Sequence, residues 1–120
     1  MGLLHTISGS KTGIVHPAGV AFGPGGTIVV ANAVQNGGIL EFAAGADGNV
    51  APVRTLAGTA TFLSEPFGVA VDSAGEVWVA DNGHDAIYIF GPNASGNTPP
   101  VRFITTGVNV PDALALDGRR

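Results

Sequence analysis

The feature that most constrains this chain is that it repeats itself. Pro17 to Asn32 reads PAGVAFGPGGTIVVAN, and Pro66 to Asp81, 49 positions on, reads PFGVAVDSAGEVWVAD. Further along, Ile39-Leu-Glu-Phe42 returns as Ile87-Tyr-Ile-Phe90, Gly48-Asn49 as Gly96-Asn97, and Pro52-Val-Arg54 as Pro100-Val-Arg102. These later matches lie 48 apart, so one residue is lost near the loop from Ala33 to Gly38. A repeat of this length means one supersecondary unit stacked on copies of itself, because a single unit cannot bury its own apolar face.

Each unit predicts four short strands. The first covers Gly19–Phe22 or Gly68–Val71, and a glycine turn leads to the second at Ile28–Ala31 or Val77–Ala80. The third is Ile39–Phe42 or Ile87–Phe90, and the fourth Val53–Leu56 or Val101–Ile104. The second strand is apolar on both faces, as a strand is when its sheet lies between other sheets. Arg54 and Arg102 make the fourth strand more polar, which suits an outer edge blunted by charge. Gly19, Ala21, Gly68 and Ala70 are small enough for the crowded centre of a ring. Four antiparallel strands every 40–50 residues or so describe a β-propeller blade. The expected fold is therefore all-β: blades of four antiparallel strands forming an incomplete propeller.

The ends follow the same phase. His5-Thr-Ile-Ser-Gly9 matches Arg54-Thr-Leu-Ala-Gly58, and Pro111-Asp-Ala-Leu-Ala-Leu-Asp117 restarts the unit seen at Pro66. The reading is the end of one blade over residues 1–16, full blades over 17–65 and 66–110, and the start of another over 111–120. Closed propellers have about four blades or more. The phase therefore predicts either a piece of a longer protein, the favoured expectation, or copies that self-associate through exposed blade faces.

Composition excludes several functions. The formal net charge is −4 with five Lys plus Arg, so no basic stripe is present to neutralise a phosphate backbone. Nucleic acid is not an expected partner. No apolar run approaches the ~20 residues of a membrane helix, and no membrane association is expected. With no cysteine there are no disulfides or thiolate metal sites. The N-terminus has no signal-peptide pattern. The compartment is not read from the sequence, although a longer parent is compatible with a secreted or periplasmic setting.

The unit resembles the NHL repeat family, in Pro66-Phe-Gly-Val-Ala-Val-Asp72, Gly75, Val77-Trp-Val-Ala-Asp81-Asn82 and Ile87-Tyr-Ile-Phe90. It is similar to bacterial variants with Gly48-Asn49-Val50-Ala51-Pro52 before the last strand. The resemblance implies a rigid binding platform for protein, peptide, RNA or carbohydrate; with nucleic acid set aside on charge, the expected ligand is a protein, peptide or glycan. Related six-bladed propellers include sugar lactonases and peptide-amidating lyases that use metal ions at the central channel. Fold alone does not decide between these, and function has to be argued from sites.

The candidate ligand-binding residues are Asn32 and Asp81, ending the second strands, and Asn82, His84 and Asp85 in the following loop. Asn and Asp at a strand end also hydrogen-bond neighbouring amides and shape turns, and repetition favours that role. One imidazole beside a carboxylate is only half of a metal or proton-relay site. No catalytic set converges, so no catalytic residue, metal site or cofactor is expected. The alternative is a fragment of a metal-dependent propeller hydrolase or lyase, with calcium or another divalent ion held largely by other blades.

Overall fold

The computed structural model describes residues 5–34 and 38–105. The repeat restart at Pro111–Asp117 lies outside the described residues.

The strands are β1 (Pro17–Phe22), β2 (Ile28–Asn32), β3 (Ile39–Phe42), β4 (Arg54–Leu56), β5 (Pro66–Val71), β6 (Val77–Asp81), β7 (Ala86–Phe90) and β8 (Arg102–Ile104). They form two sheets, β1-β2-β3-β4 and β5-β6-β7-β8, with every pairing antiparallel. The fold is all-β, two four-stranded propeller blades in succession. β1 and β5 begin two residues before the expected glycine, because Pro17 pairs with Asn32 and Pro66 with Asp81 across a register shift.

Alternation along each strand sorts the side chains onto two faces. Val29, Ala31, Ile39 and Leu56 of the first blade meet Val69, Val77, Val79, Tyr88 and Phe90 of the second, with Leu63 from the connection between them. This inter-blade layer is the main core. Val30, Leu40 and Phe42 point to the opposite face of the first blade, under Ile7 and Ile14. On that face Val20 and Phe22 are 64% and 71% exposed, whereas Val69, the repeat counterpart of Val20, is 5% exposed beneath the first blade.

The innermost strands approach closely. A Cβ on Gly19 would stand 2.7 Å from the Phe67 carbonyl oxygen and 3.2 Å from Gly68 Cα. Neither blade could move in so far with a side chain there. The expectation of small residues at the crowded centre thus has a backbone contact behind it.

Arg54 does more than blunt an edge. Its Nε pairs with Glu41 at 2.6 Å, and its Nη1 donates to the Pro92 and Ala94 carbonyls of the second blade at 2.7 and 3.1 Å. It latches one blade to the next. Arg102 occupies the same repeat position, pairs with Glu76 at 3.0 Å and lies over the Trp78 ring.

Candidate functional site

Each blade ties its connection down with the same three hydrogen-bonded clamps. Thr12 and Thr61 are fully buried; each hydroxyl donates to the carbonyl of Gly9 or Gly58 and accepts from the amide of Ile14 or Leu63. Asn49 Oδ1 accepts from Lys11 N, and Asn97 Oδ1 from Ala60 N. Gly9 and Gly58 share φ +124°, and a Cβ on either would fall 2.4 or 2.3 Å from that asparagine side chain. The Gly-Asn motif and its distant glycine are one device.

The third clamp contains two of the candidate residues. Asn32 Oδ1 accepts from Val15 N and His16 N, both at 3.0 Å, and its Nδ2 donates to Gly13 O. Asp81 is fully buried; Oδ1 accepts from Glu65 N at 2.8 Å and Gly83 N at 3.1 Å, and Oδ2 from Ser64 N at 3.0 Å. A divalent ion would compete with these amides for the same lone pairs, so the side chains as arranged do not fit a metal. Among the described residues no group of three or more His, Cys, Asp or Glu comes together to hold one.

The remaining candidates surround Asp81. Asn82 N donates to Glu65 O at 3.0 Å. Asp85 turns the chain with φ +52°, the left-handed region that short polar residues tolerate best after glycine. His84 Nδ1 lies 3.1 Å from Asp81 Oδ2, with the imidazole half exposed. A carboxylate only accepts, so Nδ1 carries the proton and a neutral ring keeps Nε2 as an acceptor.

The structure adds residues that motif reading missed. The His84 ring meets Tyr88 edge-on at 6.4 Å between centroids. Phe62 stacks on Tyr88 at 6.2 Å and Phe103 tilts against it at 6.4 Å. With Thr105 these three rings line a cavity of about 210 Å³. Burial, and then the charge of Asp81, push the Tyr88 phenol above its ordinary value. The repeat itself held the missed signal: Phe62, Tyr88 and Phe103 stand where the first blade has Gly13, Leu40 and Thr55.

The Asp72 carboxylate also differs between blades, since Gly23 takes its place in the first. Burial raises its pKa, but the hydrogen bonds from Trp78, Glu76 and Ala74 together outweigh this and hold the group below its ordinary value.

Fold and clamps define a pair of β-propeller blades with one non-repeated aromatic cluster at a loop end. The family profile described as the SMP-30/gluconolactonase/LRE-like region matches residues 3–118, and the chain belongs to that family. This is a β-propeller family related to the NHL repeats, and the NHL resemblance extends to that kinship. No curated protein matches the chain.

Proposed function

We propose that this chain is a non-catalytic propeller scaffold whose loop end, formed by residues 62–65 and 82–85, binds a protein, peptide or glycan. The observation carrying this reading is how Asn32 and Asp81 are used. The side chains best placed to be ligands at the strand ends are committed to their own backbone. A rigid blade presenting polar loop residues is a common arrangement for recognition.

The family description favours a second reading, because it includes gluconolactonase. On that reading the chain is part of a metal-dependent propeller lactonase or lyase. Calorimetric titration with calcium and an assay with glucono-lactone separate the two. The scaffold reading predicts no saturable calcium binding and no turnover above the uncatalysed rate. Calcium binding that disappears in Asp81→Ala, accompanied by lactone turnover, would overturn it in favour of the enzyme.

A further inference from the structure

We propose that the Asn82–Gly83 peptide is a deamidation site, and that the Asp81 carboxylate holds it unreacted in the folded chain. The proposal concerns the covalent fate of the loop end and stands whether or not that loop binds a partner.

The chemistry needs residues 82 and 83 and water. The Gly83 amide loses its proton, and its nitrogen attacks Asn82 Cγ. The new N–Cγ bond closes a five-membered succinimide, the Cγ–Nδ2 bond breaks, and the side-chain nitrogen takes up a proton and leaves as ammonia. Water then adds to either ring carbonyl and gives an aspartyl or an isoaspartyl residue. Asparagine counts among the thermolabile residues. Glycine after it offers the least hindered attacking amide, since it has no Cβ. Residues 82–85 form a turn in which Asn82 is half-buried and Gly83 is exposed, so the water consumed in the second step has access.

The fold requires the glycine. A Cβ at residue 83 would fall 2.5 Å from Ser64 Oγ and 2.6 Å from Ser64 Cβ, so the labile pair cannot be avoided by placing a side chain there.

The attacking nitrogen is what the structure controls. Gly83 N donates to Asp81 Oδ1 at 3.1 Å, and Asp81 is fully buried. The lone pair freed by deprotonation would point where the proton was, at Asp81 and not at Asn82 Cγ. A carboxylate there also strengthens the bond to the proton and repels the amide anion. The first blade has neither part of this arrangement. Val34, the repeat counterpart of Gly83, donates to the backbone oxygen of Asn32 at 2.9 Å, and residues 33 and 34 are Ala and Val. The carboxylate, its bond to the third amide and the Asn-Gly pair occur together in the second blade.

The test is peptide mapping by mass spectrometry after incubation in mildly alkaline buffer, folded and in urea. Tryptic cleavage after Arg54 separates Asn82 from the other Asn-Gly pair, Asn36-Gly37, which lies outside the described residues. Asn82 should convert at least about tenfold more slowly in the folded chain than in urea, the value of roughly one hydrogen bond to a charged group. Asp81→Asn is the decisive variant, because Asn32 shows that a carboxamide at this position still accepts from both amides of the connection. It should stay folded by circular dichroism and convert at Asn82 at least about fivefold faster than the folded parent. Equal rates for the folded and urea-unfolded parent would overturn the proposal, as would a folded Asp81→Asn chain that converts as slowly as the parent. Should that variant not fold, amide hydrogen exchange of the parent decides: protection of the exposed Gly83 amide supports the proposal, and free exchange overturns it.

Discussion

The two blades solve the same structural problem with partly different residues. Where they agree, the shared atoms are clamps. Thr12 and Thr61, Asn49 and Asn97, and Asn32 and Asp81 each fix the same backbone groups 48 or 49 positions apart. Where they differ, the second blade is the more elaborate. Asp81 adds a carboxylate that orients His84, and Asp72 accepts from Ala74, Glu76 and Trp78 around a turn where the first blade has Gly23. In the first blade the buried Thr27 Oγ1 beside Gly23 has no hydrogen-bond partner among the described residues. Agreement between repeats reports the shared fold, and disagreement marks where one blade has its own local solution.

Removing the strand-end clamp from each blade in turn should have the largest effect. Asp81→Ala leaves the Ser64, Glu65 and Gly83 amides without their acceptor, and we expect a loss of about 3 kcal/mol in urea denaturation. Asn32→Ala removes a neutral acceptor of two amides and should cost about 2 kcal/mol. Equal and negligible losses would mean that the strand-end residues are held for a ligand and not for the fold. Gly58→Ala sets a Cβ against Asn97 at a φ of +124° and should cost about 2 kcal/mol. Gly9→Ala should do the same in the first connection.

The Asp72 carboxylate makes the second blade respond to pH where the first, with Gly23, does not. Its folded pKa lies below its unfolded value, so its contribution is present above the unfolded pKa and fades as pH falls through the folded one. Asp72→Asn should cost about 1 kcal/mol at neutral pH and flatten part of the acid limb of the stability curve. An unchanged acid limb would contradict the assignment. A smaller effect separates the two arginines. Arg54→Met loses the hydrogen bonds to Pro92 and Ala94 and should cost about 1 kcal/mol, while Arg102→Met should leave the unfolding midpoint in place.

Much of this architecture was legible in the residues. Alternating apolar runs and the spacing of Pro, Gly-Val-Ala and Val-Ala-Asn/Asp specify four strands per unit, since a strand's period of two and a turn's need for glycine are local. The strand ends at Asn32 and Asp81 were equally readable, because short polar side chains reach amides nearby in space. The latch formed by Arg54 was not, because its acceptors are carbonyls 38 and 40 residues away, and carbonyls have no sequence identity. The aromatic cluster escaped for a related reason. Phe62, Tyr88 and Phe103 are far apart in the chain and match no motif; only their departure from Gly13, Leu40 and Thr55 marks them.

The Phe62 ring, which stands where the first blade has a glycine, is not a demand of the fold, and its replacement checks this claim directly. Returning it to the glycine of the first blade relieves a left-handed strain of roughly 1–2 kcal/mol and removes a ring that is 54% exposed. Equilibrium unfolding of Phe62→Gly should therefore give a stability within about 1 kcal/mol of the parent, because the two effects offset each other. A loss of roughly 3 kcal/mol or more, the cost of deleting a core phenylalanine, would show that the ring belongs to the fold and would contradict the claim.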